Sequence, residues 1–395
     1  MENSPLLNVY RRSDLVMARG EGAYLFDTHG RRYLDFAAGI ATNALGHTHP
    51  AVVKALQDQA ATLWHCSNAY HTPPLDAFAA ALTKTSSFDK VFFGSSGTEV
   101  VEAALKILRR YQYMRGETKR VRFIVADGGF HGRTMGALSA CGHTKSREGF
   151  EPLVPGFDVV PFNDIAALEA AITDETAAIF VETIQGEGGV RAHSAEYLQA
   201  ARRLADAHGV LLALDEIQCG YGRTGTLFAF EASGIRPDLV TVGKGIGNGF
   251  PLAAVLMTER AASGMTPGSH GSTYGSNPLA MAVGQAVLNV MAASEFMPSV
   301  RRIGAHLKAE LQALATDFPA LFDEVRGTGL MLGLHVRVGV DKYALSTQLR
   351  DAGLLVAPAV TDVLRVVPPL VITEKEVAEA MTILRQVSGR ATQDS

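Results

Sequence analysis

From about residue 50 onward, short apolar runs alternate with longer stretches whose apolar residues recur at helical spacing. The runs are Val91–Phe93, Val121–Val125, Ala177–Val181, Val210–Leu214, Leu239–Val242 and Ala253–Met257. Each is too short for a helix and predicts a buried strand. Between two of them, Leu198, Ala201, Leu204 and Ala205 fall on one face of a helix from Ser194 to His208. Ser194 is placed to cap its start, and Gly209 to end it in a left-handed turn. Strands alternating with helices predict an α/β fold in which a mainly parallel sheet is sandwiched by helices.

The two ends read differently. Residues 1 to about 20 look like an arm, and Gly22–Phe36 reads as a hairpin around the turn Thr28-His29-Gly30. A helix is expected over Pro278–Met291, and another ends near Ala315. The tail predicts a smaller α+β unit: Leu330–Val336, a helix over Tyr343–Ala352, Leu354–Ala357, Val363–Val367 and a last helix over Lys375–Val387. The expected division is an arm and hairpin (residues 1–50, joined to the small domain), a large domain (51–290) and a C-terminal small domain (291–395).

Composition narrows the class. With 395 residues, 47% hydrophobic and 19% charged, the chain can bury a large core and has no disordered signature. A formal net charge of -4 without dense Lys/Arg runs argues against nucleic acid and anionic membranes as partners. No uninterrupted apolar stretch reaches spanning length, and the first residues lack a basic segment followed by an apolar one. Cys66, Cys141 and Cys219 are scattered, odd in number and free of CxxC spacing, which fits a reducing compartment, the cytoplasm by default. No metal site is expected. His47, His49, His65, His71 and His131 lack ligand spacing and read as structural or loop residues.

Two apolar runs carry the chemistry. One ends in Asp215-Glu216-Ile217-Gln218 and the next in Gly243-Lys244-Gly245, so adjacent buried strands would deliver opposite charges to one site. That pairing suits pyridoxal 5′-phosphate (PLP): a lysine amine condenses with its aldehyde while a carboxylate pairs with the protonated pyridine nitrogen. Gly94-Ser95-Ser96-Gly97-Thr98-Glu99 lies between a strand and a helix, where backbone N–H groups and a hydroxyl can hold an anion such as its phosphate. Gly128-Gly129-Phe130-His131-Gly132-Arg133 follows another strand; Phe130 could stack on a ring and Arg133 could grip a carboxylate. Glu187, in the turn Gly186-Glu187-Gly188-Gly189, needs a cationic partner if buried, and Arg365 in the apolar Val363–Val367 is a candidate. Gly271-Ser272-Thr273-Tyr274 offers a second hydroxyl-rich turn before a helix. No dinucleotide fingerprint and no P-loop is present.

In this order the motifs resemble the class-III aminotransferases of PLP fold type I, from Gly39-Ile40-Ala41-Thr42-Asn43 to Arg365-Val366-Val367-Pro368-Pro369. The resemblance implies that Lys244 forms the Schiff base and shuttles the proton, Asp215 pairs with the pyridine nitrogen and Gln218 bonds the ring hydroxyl. It implies that Phe130 stacks on the ring, that Gly97 and Thr98 bind the phosphate, and that Thr273 reaches it from a neighbouring subunit of a homodimer. Arg133 and Ser272 are implied substrate contacts, and Glu187 is implied to mask Arg365 until a dicarboxylate arrives. The implied reaction is ping-pong transfer of the distal amine of N2-acetyl-L-ornithine to 2-oxoglutarate, with succinylornithine, ornithine or 4-aminobutyrate as alternative donors. A PLP-dependent isomerase, needing no oxoacid, is the alternative from another class. In one departure, Ser95 stands before Ser96-Gly97 where the family carries asparagine, and Val100-Val101 follow Glu99; altered packing behind the phosphate loop is expected.

Overall fold

The large sheet is built by the apolar runs. The structure, a computed structural model, describes residues 5–143 and 146–392; Met1–Ser4, within the segment read for a leader, lie outside them. In spatial order the sheet's seven strands are Lys90–Gly94, Ala253–Met257, Leu239–Val242, Leu211–Asp215, Thr176–Glu182, Arg122–Ala126 and Phe157–Val160. The last five run parallel to one another; Ala253–Met257 is antiparallel to both of its neighbours. Thr176–Glu182 and Leu211–Asp215 are buried at every position, as strands covered on both faces must be.

Helices cover the sheet. The helix Gly97–Met114 buries Val100, Val101, Ala104, Ile107, Leu108 and Tyr111 along one stripe. Val100 and Val101, the departures noted above, pack in the cluster that includes Phe123, Phe180, Leu211 and Val255. The helix Ala195–His208 is capped as expected: Ser194 accepts a hydrogen bond from the Tyr197 N–H, and Gly209 has φ 66°. No single helix among the described residues is long and apolar enough to cross a membrane.

Away from the large sheet the chain departs from expectation in instructive ways. The hairpin forms, but Met17–Glu21, within the segment read as an arm, adds an edge strand to it. Its other edge, Arg32–Asp35, pairs in parallel with Leu354–Leu355, which ties the N-terminal hairpin to the C-terminal region. Leu354–Ala357 reads as one strand but divides: Ala357–Pro358 pairs instead with Val363–Val366 in a second four-stranded sheet. That sheet also holds Met331–Val336 and, at its edge, Phe322–Thr328, a strand the pattern does not predict. Phe157–Val160 is likewise an unexpected edge strand of the large sheet. The helices Pro278–Met291, Phe296–Asp317, Lys342–Asp351 and Glu374–Ala391 fall close to the expected spans.

Candidate active site

Parallel strands place their carboxyl ends at one edge of a sheet, and here that edge carries the chemistry. Asp215 ends one strand and is the register partner of Glu182 on the next. On its other side Asp215 pairs with Thr241, three residues before Lys244. A cavity of about 280 Å³ opens at this edge, lined by Gly97, Thr98, Phe130, His131, Gly132, Arg133, Glu182, Asp215, Ile217, Gln218 and Lys244.

Both Asp215 oxygens are oriented. Oδ1 accepts from the Ile217 N–H at 3.0 Å, and Oδ2 lies 2.7 Å from His131 Nδ1. The His131 ring packs on Phe180 with centroids 4.5 Å apart. Reading His131 as a structural or loop residue leaves out its specific contact with the carboxylate. The available signal was its place in a glycine-flanked turn after a buried strand. Lys244 follows Gly243 and is held at φ 45°, a left-handed conformation that costs a non-glycine residue about 1–2 kcal/mol. Such strain persists only where the surroundings impose it. Burial pushes the Lys244 amine down from 10.5 to about 8, helped by the Arg365 guanidinium and opposed by Glu187, Glu182 and Asp215.

The helix Gly97–Met114 points its N-terminus at the cavity. Ser96 Oγ accepts from the Glu99 N–H, and Thr98 Oγ1 accepts from the N–H groups of Arg133 (3.3 Å) and Thr134 (3.2 Å). Gly132 lets this loop close on the helix, since a Cβ there would fall 2.4 Å from Thr98 Oγ1. Ser95 donates its N–H to Glu99 Oε2 at 2.7 Å, and Ser272 donates its hydroxyl to Glu99 Oε1.

The opposite wall comes from two other segments. Arg365, 2% exposed, places Nη1 2.6 Å from Glu187 Oε1 and 3.3 Å from Gln218 Oε1. Its remaining donors reach the carbonyls of Ala357 and Pro358. Gly186 lies so close to Gln218 that a Cβ would fall 2.3 Å from its side-chain amide. Arg133 is exposed at the rim, its guanidinium 5.4 Å from the Phe130 ring centroid. Ser272 is half-buried beside Glu99, and Thr273 lies exposed on the surface away from the cavity of this chain.

The structure thus brings Gly97, Thr98, Phe130, Arg133, Asp215, Gln218 and Lys244 around one cavity, adds the Glu187–Arg365 pair beside Gln218, and leaves Ser272 and Thr273 outside the cavity lining. Glu182 also lines the cavity and was not singled out from the sequence. Burial, with Asp215 alongside, pushes its carboxyl up to about 7. These residues fit PLP. The donor set offers a buried amine for the aldehyde, a buried carboxylate for the ring nitrogen and a helix N-terminus for the phosphate. Glycines at 132 and 186 keep the space that a Cβ would fill. No group of three or more His, Cys, Asp or Glu among the described residues could hold a metal ion, and the three cysteines are unpaired.

Comparison with known proteins identifies the family. The family profile for class-III aminotransferases matches residues 8–387. The chain is 48% identical over 389 residues to an acetylornithine aminotransferase of Agrobacterium fabrum, covering 98% of this chain and 97% of that protein. Among solved structures, an N-acetylornithine aminotransferase from Stenotrophomonas maltophilia is 37% identical with a TM-score of 0.85, covering 98% of each chain. An ornithine aminotransferase from Toxoplasma gondii is 33% identical with a TM-score of 0.95, covering 99% of this chain and 94% of that one.

Proposed function

The chain belongs to the class-III aminotransferase family, and we propose that it moves the distal amino group of N2-acetyl-L-ornithine to 2-oxoglutarate, giving N-acetylglutamate 5-semialdehyde and glutamate. Enzymes of this class depend on PLP, which when bound supplies an aldehyde that condenses with amines and a ring that accepts the electron pair released on deprotonation. The observation that carries the chemistry is the meeting of buried Asp215 and Lys244 at adjacent parallel strand ends. The donor rests on the near full-length similarity to proteins named acetylornithine aminotransferase.

Each residue then has a task. Asp215, steadied by His131 and the Ile217 N–H, would keep a proton on the ring nitrogen, because a nearby carboxylate favours the cationic form. Lys244, with its amine held at about 8, is partly unprotonated near neutral pH and can take a proton from the substrate carbon and return it. Phe130 would cover the ring, Gln218 would bond its hydroxyl, and the N–H groups at Gly97 and Thr98 would hold the phosphate. Arg133, at the cavity rim, and Ser272, in the turn beside Glu99 outside this chain's cavity lining, are assigned the substrate's far end. Arg365 grips a dicarboxylate once Glu187 swings away, and Glu187 covers its charge otherwise.

We further propose a homodimer in which Thr273 of one chain serves the site of the other. Trp64 and Tyr274 are 64% and 67% exposed, with Leu63 and Tyr70 also open to solvent. Asn68 ties this region to the Ser272–Gly275 turn through the carbonyls of Ser272 (2.8 Å) and Gly275 (3.0 Å). Exposed apolar and aromatic side chains gathered beside a site are a usual mark of an interface. The same reading assigns residues 51–290 to a cofactor-binding domain, joins 1–50 to the C-terminal unit 291–395, and locates the enzyme in the reducing cytoplasm. The hairpin's pairing with Leu354–Leu355 supports the domain assignment, and the free cysteines support the location.

The test is a single-turnover absorbance experiment on the PLP-loaded protein. N2-acetylornithine without oxoacid should bleach the visible cofactor band, and 2-oxoglutarate should restore it. A band unmoved by acetylornithine but bleached by ornithine, succinylornithine or 4-aminobutyrate would reject the donor. Turnover of one substrate with no oxoacid would reject the aminotransferase.

A further inference from the structure

Two carboxylates line the cavity, and the roles above use only Asp215. Glu182 is 6% exposed and sits opposite Asp215 in the sheet register. Holding a carboxylate there is expensive, since burial and a like charge both disfavour its ionised form. An apolar side chain would fill the same space without that cost. What Glu182 offers in return is a pair of acceptors aimed at two different loops. Oε1 accepts from the Phe130 N–H at 2.8 Å, and Oε2 accepts from the Gly186 N–H at 3.2 Å.

Those loops do different work in the function proposed above, on which this inference rests. The first sets the Phe130 ring against the cavity. The second places Gly186 against Gln218 and leads directly into Glu187, which pairs with Arg365. We propose that Glu182 is a positioning residue that sets the cofactor's seat and the substrate gate together, holding Phe130 with one oxygen and the Gly186–Glu187 turn with the other. Each oxygen has its own loop, so neither loop can shift without loosening a hydrogen bond to a buried acceptor.

Glu182→Gln isolates this role. Its amide keeps one oxygen but turns an NH2 toward the other backbone N–H, so one loop must lose its acceptor. Three measurements on wild type, Glu182→Gln and Glu182→Ala decide the matter. They are the PLP dissociation constant of the resolved protein, the visible circular dichroism per bound cofactor, and the ratio of kcat/KM for 2-oxoglutarate to that for pyruvate. The thermal midpoint of the cofactor-free proteins is recorded alongside. Glu182→Gln is expected to weaken PLP binding about tenfold, the consequence of one lost hydrogen bond to a buried acceptor, with a larger loss in Glu182→Ala. Its visible circular dichroism should fall as the ring loses its fixed orientation, and the dicarboxylate preference should fall with it. A lower thermal midpoint with unchanged binding and circular dichroism would make Glu182 merely structural and overturn the proposal. Altered binding with an unchanged acceptor ratio would overturn the coupling of seat and gate. A wild type that binds no PLP, or whose band no amine bleaches, would sink the aminotransferase reading itself. A normal wild type beside an unaffected Glu182→Gln sinks only the role given to Glu182.

Discussion

The buried amine of Lys244 makes a quantitative prediction that needs no substrate. Burial and the Arg365 guanidinium hold it at about 8, against 10.5 for an ordinary lysine. At about 1.4 kcal/mol per unit, the folded protein disfavours the ammonium by about 3 kcal/mol relative to the unfolded chain. Below pH 8 both states carry the proton, and the cofactor-free protein bears the whole penalty. Between pH 8 and 10.5 the unfolded chain binds more protons than the folded one, so stability rises with pH across that window. Above 10.5 both states are neutral and the penalty is gone. Lys244→Met keeps most of the side chain's bulk and removes the amine. Urea unfolding of cofactor-free wild type and variant, at fixed temperature and salt, should give a stability difference that favours the variant most at pH 7. That advantage should shrink by about 3 kcal/mol on going to pH 11, with the change confined to pH 8–10.5. A difference that stays flat over this range would refute the claim that the amine is buried at a cost. Lys244→Ala, in turn, should abolish turnover while the protein stays folded, and wild-type-like activity in it would remove Lys244 from the chemistry.

Three other perturbations probe the rest of the site. His131→Phe strips Asp215 Oδ2 of its partner; an unsatisfied buried acceptor costs about 1–3 kcal/mol, so denaturant stability should fall by that order and kcat at least tenfold, and an unchanged kcat would show that Asp215 needs no such support. Glu187→Gln leaves the buried Arg365 with carbonyl and amide acceptors only, so monocarboxylate acceptors should gain kcat/KM relative to 2-oxoglutarate; an unaltered ratio would deny the pair its gating role. Arg133→Ala should lower kcat/KM for acetylornithine and 2-oxoglutarate with little change in stability, because the side chain is exposed at the rim; steady-state kinetics unchanged for both substrates would take Arg133 out of the site.

Much of the fold is legible in the residue order because central parallel strands are buried on both faces and must be written as apolar runs. Leu239–Val242 and Ala253–Met257 fall where the pattern puts them for that reason. Met17–Glu21, Phe157–Val160 and Phe322–Thr328 escape it, and each is an edge strand of its sheet. An edge strand shows part of its surface to water and carries charge, as with Arg19 and Glu21, Asp158 paired with Arg122, and Asp323 and Glu324. Such segments read as loops. Leu354–Ala357 misleads differently: a single short run serves two sheets, and only long-range pairing reveals the division.

The site divides along a related line. Lys244, Asp215, Phe130 and Arg365 stand out because a charge or a ring at the end of an apolar strand, or among glycines, asks for an explanation that local sequence can supply. Glu182 and His131 do not stand out, although both contact the cavity as closely. Their significance lies in register, which places Glu182 beside Asp215, and in a loop crossing that brings His131 to the same carboxylate from another strand. Residues that touch a ligand are often legible from chemistry alone, whereas residues that hold those in place become legible only once strands are paired. Here burial and the neighbouring Asp215 disfavour the ionised form of the supporting carboxylate while its two oxygens hold two separate loops, and that combination is the reason to look for its function in positioning.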